Sequence, residues 1–304
     1  MSTLLLPPPA LPPSIADYVH PFLMQQDAEK TRSDYRSELR LFSTWAGKPF
    51  HDVTPLDLIA YRKEMEERGL KPATIHKKLS VLRSFFSFVA QMFNRPNPAL
   101  CIRLPKVTDQ STKAVLSLQE VGRLLSCVNT TTSAGRRDLA ILGLLLVNGL
   151  RTCEVSCANV GDIHEVEGYT VLRVRGKGGK IADAKLREDV QEAIRAYLAL
   201  RKAAEPDMPL FLALGNLGKG RISPKTVQAR VRHYLRLAGI QRSNLTAHSL
   251  RHTCAVLTLS IGKADLVQVQ RLLRHSDPKV TMRYVQSLDW LRDNAVDRNP
   301  ISLS

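Results

Sequence analysis

Residues 136–157 read RRDLAILGLLLVNGLRTCEVSC, and the reading of that stretch decides the fold. From Leu139 onward it is apolar on every side, the mark of a helix buried all round rather than one lying on a surface. Such a helix belongs at the centre of a core. It ends or turns near Gly149 and Leu150, and Arg151 follows at once. An arginine set beside buried leucines needs an anion or water, because an unpaired charge in an apolar interior is very costly. Two readings fit: an ion pair with Glu154 one turn on, or a seat for an anionic ligand.

Toward the N-terminus, LSLQEVGRLLSCV spaces Ser117 and Glu120 as a capping box, so the domain holding the central helix begins there. Ahead of it, RLPKVTDQSTKA has a proline, small polar residues and no apolar periodicity, which predicts a linker over 105–114. Residues 14–104 then form a smaller helical domain. Tyr35, Leu39 and Phe42 share a stripe; Thr54 caps a helix that Pro55 opens and Gly69 stops. Ile75, Leu79, Leu82, Phe86 and Val89 line one face of a long helix. Its other face carries His76, Lys77, Lys78 and Arg83, either a solvated charged surface or a contact for a DNA backbone. Residues 1–13 predict a flexible, polyproline-like arm. With no basic segment before its short leucine run, this arm does not read as a secretory signal.

Toward the C-terminus, GYTVLRVRGKGGKIADAKL is the clear β signal, two strands around Gly176-Lys177-Gly178-Gly179. Lys177 stands at the tip, where an ammonium can swing into a cleft as an acid; Lys180 is near enough to rival it. Ser223 and Pro224 open a further helix carrying Lys225 and Arg230, two more candidate DNA contacts. LTAHSLRHT spaces His248 and Arg251 by one helical turn, so that a guanidinium can grip phosphate oxygens while an imidazole moves a proton. LLRHSDPKVTMRY brings His275 and, on a short helix opened by Asp277 and Pro278, Tyr284. Taken alone, Tyr284 is a packing residue.

At 304 residues the chain has room for two domains. Its 44 lysines and arginines against 28 acidic residues give a net charge of +16, suited to a polyanion. The basic residues are dispersed rather than gathered in one block, which favours nucleic acid over an anionic membrane. No apolar run is long enough to cross a bilayer, so a soluble, membrane-free protein is expected. The five cysteines, Cys101, Cys127, Cys153, Cys157 and Cys254, are scattered and odd in number, pointing to a reducing compartment. Cys153 and Cys157 are spaced to share a metal, but with no cluster of ligands beside them, buried structural thiols are the preferred reading.

NGLRTCEV, VRGKGGK, AHSLRHT, LLRHSD and the following Tyr284 together resemble, in order and spacing, the signature of the tyrosine recombinases, the phage-integrase family that includes the Xer and Cre enzymes. The resemblance implies a mainly α fold: an N-terminal helical, SAM-like core-binding domain over 14–104, and a mostly helical catalytic domain over 115–304 with a small antiparallel sheet, the DNA breaking-rejoining fold. It implies site-specific recombination on double-stranded DNA, by a homo-tetramer on two sites through a Holliday junction, with monomers or dimers when free. Accessory DNA-bending proteins are possible partners, and the compartment is the cytoplasm, at the nucleoid.

By the same resemblance Tyr284 attacks a backbone phosphate to form a 3′-phosphotyrosine, and Arg151 and Arg251 hold the non-bridging oxygens. Lys177 protonates the leaving 5′ oxygen, His248 is the base toward Tyr284, His275 hydrogen-bonds the phosphate, and Glu154 supports Arg151. No metal or nucleotide cofactor is called for. One departure is Arg274, where the family often has glycine; it is expected to contact DNA or point to solvent. Beyond Tyr284, Leu288, Trp290 and Leu291 are anchors either for a tail donated to a neighbouring subunit or for the chain's own core. The alternatives are a type IB topoisomerase, a non-catalytic DNA-binding regulator and a metal-dependent nuclease, the last lacking acidic ligands in the motifs.

Overall fold

The computed structural model describes residues 16–106, 114–176, 179–201, 203–213, 220–275, 277–278 and 281–282. The expected N-terminal arm, most of the linker, Lys177, Tyr284 and the tail anchors Leu288, Trp290 and Leu291 lie outside them. The chain divides into two compact units, Met1–Ser111 and Thr112–Ser304.

The first unit is helical: α1 (Ala16–Met24), α2 (Glu29–Ala46), α3 (Pro55–Glu67) and α4 (Pro72–Phe93). α3 starts where the sequence demands, with Thr54 and Asp57 exchanging side chain to backbone hydrogen bonds across the first turn and Pro55 needing no donor there. It stops at Gly69, whose φ of +71° suits a residue without Cβ. α4 buries the expected Ile75, Leu79, Leu82, Phe86 and Val89 and also Val81, Phe85 and Phe88, a face wider than the periodicity alone gives. Aromatic rings fill this small core: Phe85 lies 4.8 Å from Phe50 and 5.3 Å from Phe22. Each such pair adds about 0.5–1.5 kcal/mol beyond the area it buries.

The second unit contains α5 (Leu118–Ser126), α6 (Ser133–Leu146), α7 (Thr152–Cys157), strands β1 (Ile163–Val166), β2 (Tyr169–Arg175) and β3 (Ile181–Lys185), then α8 (Glu188–Leu198), α9 (Pro224–Leu237), α10 (Ala247–Ser260) and α11 (Leu266–Leu273). The sheet is antiparallel in the order β1-β2-β3. β1 was not foreseen. It pairs with β2 through a two-residue turn in which Glu167 (φ 51°) and Gly168 (φ 78°) are both left-handed, the geometry that matches strand twist.

α6 is the central helix, with Ala140, Ile141, Leu142, Leu144 and Leu145 essentially removed from solvent. Losing one such leucine side chain costs about 2–5 kcal/mol. The apolar helix expected to end or turn near Gly149 and Leu150 ends at Leu146, and α7 starts at Thr152. Near the start of α6, the buried Asp138 accepts from Arg137 at 2.7 Å, Arg230 at 2.6 Å and the Tyr234 hydroxyl at 3.0 Å, which ties α6 to α9. No helix among the described residues is long and apolar enough to cross a membrane.

Candidate active site

The break between α6 and α7 builds the site. Gly149 takes φ +57°, and a Cβ there would lie 2.7 Å from Leu273 Cδ2 and 3.3 Å from Cys254 Sγ, so both backbone and space require glycine. The reversal sends Leu150 back into the core, its N–H donating to Leu144 O at 3.0 Å. Arg151 is thereby placed at the N-cap of α7. Its backbone N–H donates to Glu154 Oε2 at 2.8 Å and its Nη1 to Glu154 Oε1 at 2.6 Å. The ion pair with Glu154 is made, and the arginine side chain stays 36% exposed.

Glu154 is buried, and burial alone would push its carboxyl upward. The N–H of Arg151 and the guanidiniums of Arg274 and Arg151 outweigh that and hold it below the usual range, so it stays ionised.

Arg251 enters from α10 and is 1% exposed. It donates Nη1 to Gly149 O and Nη2 to Leu273 O, clasping the α6–α7 turn to the end of α11. His248 shares that helix but faces outward, its ring edge-on to His252 at 4.5 Å. His275 follows α11, with Nδ1 2.8 Å from Thr281 Oγ1. Burial, then the charges of Arg251, Arg151, Arg274 and His248, push its pKa down to about 4. Arg151 and His248 line one cleft, and Arg251 holds the turn before Arg151 to Leu273, two residues ahead of His275. Lys177 and Tyr284 lie outside the described residues, though Gly176 N donates to Lys180 O at 2.7 Å and closes the hairpin neck. Lys180 is exposed.

A cleft of about 360 Å³ opens beside this group, lined among others by Arg151, Cys153, His248, Gln228 and Arg232. Sequence reasoning missed Gln228 and Arg232. They share a face of α9 with the exposed Lys225, whereas Arg230 points the other way, to Asp138. The signal was present in the buried Val227, Val231 and Tyr234, which fix the sides of the helix.

Arg274 departs from both expectations. It is neither in solvent nor free for DNA: its side chain is 12% exposed and its Nη2 lies 3.3 Å from Glu154 Oε2. Its backbone is left-handed, φ 55° and ψ 44°, a conformation that costs a residue with a Cβ about 1–3 kcal/mol. Cys153 and Cys157 also differ from expectation. Both are exposed, because the inner face of α7 is taken by Glu154, Val155 and Ser156. Cys254 is the buried one, its thiol pushed up to about 11 by burial. Among the described residues no group of three or more His, Cys, Asp or Glu is placed to hold a metal.

In the first unit, α4 presents Lys77 and Arg83 to solvent, Lys77 still 63% exposed beside Asp34. Lys78 is instead paired with Glu38, and His76 Nδ1 lies 3.0 Å from Pro105 O.

Known proteins match along most of the chain. The model of the phage integrase family covers residues 114–289, and that of the phage integrase N-terminal SAM-like domain covers 15–92. Tyrosine recombinase XerC of Thermodesulfovibrio yellowstonii is 31% identical over 87% of this chain and 88% of its own, and tyrosine recombinase XerD of Caulobacter vibrioides 33% identical over 84% and 86%. Among solved structures, XerH recombinase in a post-cleavage complex with palindromic difH substrate superposes with a TM-score of 0.71 at 17% identity, over 93% of this chain and 94% of that one. A lambda integrase tetramer bound to a Holliday junction gives 0.68 at 19%, over 89% and 75%.

Proposed function

Because the chain belongs to the phage integrase family and is a DNA strand-transferring enzyme of site-specific recombination, we propose that it cuts and rejoins DNA through Tyr284, without metal or ATP. The observation that carries this reading is the open cleft lined by Arg151 and His248, with Arg251 holding the turn before Arg151 to the end of α11 that leads into His275.

In the proposed reaction the Tyr284 oxygen attacks the scissile phosphorus, its proton passing to His248. The P–O5′ bond breaks, Lys177 protonates the leaving 5′ oxygen, and a 3′-phosphotyrosine remains. The ordinary phenol pKa is about 10, so a strongly positive surrounding is what lets the tyrosine react near neutrality. Arg151 and Arg251 supply it, and they stabilise the charge that accumulates on the phosphate oxygens in the transition state. The reading is supported by the hold on both guanidiniums, Arg251 by two carbonyls and Arg151 by Glu154, since groups fixed in advance need little reorganisation. His275, neutral in the DNA-free chain, has a ring nitrogen anchored on Thr281 and hydrogen-bonds the phosphate when DNA is bound.

The arginines and the lysine do the electrostatic work that cations do in other phosphoryl transfers, and the phosphotyrosine keeps the phosphodiester energy for rejoining. Four such chains act on two DNA sites, and residues 14–104 and residues 115–304 each contact the duplex. The exposed Lys77, Arg83 and Lys225 contact backbone phosphate. The likeness to a lambda integrase tetramer on a Holliday junction supports the same order of assembly here.

The test is a pool of nicked duplexes tiling the DNA that flanks the gene, incubated in EDTA with wild type or Tyr284→Phe. A covalent protein–DNA adduct with wild type alone is expected. Binding of DNA by both proteins with no adduct from either would contradict the reading.

A further inference from the structure

One buried carboxylate joins two arginines across the site. Glu154 Oε1 accepts from Arg151 Nη1 at 2.6 Å; Oε2 accepts from Arg151 N at 2.8 Å and from Arg274 Nη2 at 3.3 Å. Arg274 also donates Nη1 to Leu272 O at 2.8 Å, while the next carbonyl, Leu273 O, is taken by Arg251. The end of α11, which leads directly into His275, is therefore held by two guanidiniums. One of them reaches α7 through Glu154, the other the α6–α7 turn through Gly149 O.

Arg274 occupies this place although its left-handed backbone favours glycine. Stability of the turn alone would select the smaller residue. Only the side chain accounts for an arginine, and that side chain is committed to the group that orients Arg151.

We propose that Arg274 is a positioning residue for strand transfer: it locks the Glu154 carboxylate from the α11 side, which fixes the Arg151 guanidinium, and it ties the segment bearing His275 to α7. The proposal rests on the reading that Arg151 and His275 hold the scissile phosphate. Lysine can supply the charge but not the forked hold on Leu272 O and Glu154 together. Glycine supplies neither, yet suits the backbone.

The test compares wild type, Arg274→Gly and Arg274→Lys. Thermal melts and binding of the tiled duplex pool establish that each variant is folded and engages DNA. At saturating DNA the glycine variant is expected to form the adduct about ten- to hundredfold more slowly, the loss typical when a residue orienting a reactive group is removed. DNA affinity should change by much less, and lysine should recover part of the rate. By NMR on the DNA-free protein, the His275 pKa, about 4 in wild type, should rise in Arg274→Gly. Burial and the charges of Arg251, Arg151, Arg274 and His248 hold that pKa down, and Thr281 Oγ1 lies at Nδ1, so deleting one positive charge favours the protonated ring.

A glycine variant that cleaves at the wild-type rate overturns the proposal. So does a loss of rate that merely follows a loss of stability or binding, with lysine no better than glycine. Failure of wild type to form any adduct would instead defeat the functional reading. The titration then still judges Arg274: an unmoved His275 pKa in Arg274→Gly refutes the tie, and a rise shared by Arg274→Lys, which keeps the charge, upholds it.

Discussion

Two carboxylates in the second unit each sit between two arginines, and they are put to different use. Asp138 is 1% exposed in its side chain, and its partners Arg137 and Arg230 are 4% and 31% exposed. The surrounding donors are directed inward as well: Arg137 Nη1 to Leu212 O at 2.9 Å, Arg230 Nη2 to Tyr234 Oη at 3.2 Å. Glu154 is equally buried, but Arg151 remains 36% exposed at the edge of a cleft and gives it a single guanidinium nitrogen. The first cluster is closed and holds α6 to α9. The second is a mount: the acid and Arg274 are fixed, and the remaining arginine faces a site where an anion can arrive. The chemistry of the pair is the same in both places; what separates brace from clamp is where the outer arginine turns, Arg230 back to Tyr234 and Arg151 to the cleft.

Exchanging each acid for its amide would break this comparison if the two behaved alike. Asp138→Asn should lose about 3–5 kcal/mol in urea unfolding, since Arg137 is left with an uncompensated charge in the interior. Its adduct formation, measured below the new melting temperature, should be near normal. Glu154→Gln should be the milder change in stability because its inner partner Arg274, 12% exposed, is less enclosed than Arg137 at 4%, yet cleavage should fall about a hundredfold, roughly 2.7 kcal/mol of lost transition-state stabilisation.

A smaller effect concerns pH. The His275 pKa is depressed in the folded chain, so the unfolded chain binds the extra proton first, and stability must fall as pH drops from about 6.5, the ordinary value, through about 4. His275→Gln should remove that part of the slope in melts recorded across the window, whereas a substitution at the distant Asp138 cluster should leave it. The smallest effect belongs to the exposed cations. Lys77→Ala and Arg83→Ala should each lower the salt slope of DNA binding by about one, with little change in stability, and Lys78→Ala, paired with Glu38, should not.

Much of this was legible from residue order. Caps act locally, so Thr54, Ser117 and Ser223 marked their helices from neighbours a turn away. The family was legible because the types and spacing of these residues form a signature. What escaped depended on partners distant in the chain. Arg274 reads as a surface arginine until Glu154, 120 residues earlier, is brought against it. Arg230 reads as a DNA contact until Asp138, 92 residues away, claims it. β1 is too short and too polar to show an alternation, and its turn depends on a non-glycine left-handed residue, Glu167. The interruption between α6 and α7 was suggested by Gly149, but its necessity comes from the approach of Leu273 and Cys254, which no local pattern contains.

The most direct test of the central claim is to purify the covalent complex formed in EDTA, digest protein and DNA, and locate the nucleotide-bearing peptide by mass spectrometry. The account predicts a single modified peptide with the 3′-phosphate esterified to Tyr284. A phosphate on any other residue, or tight specific binding with no modified peptide, would contradict it.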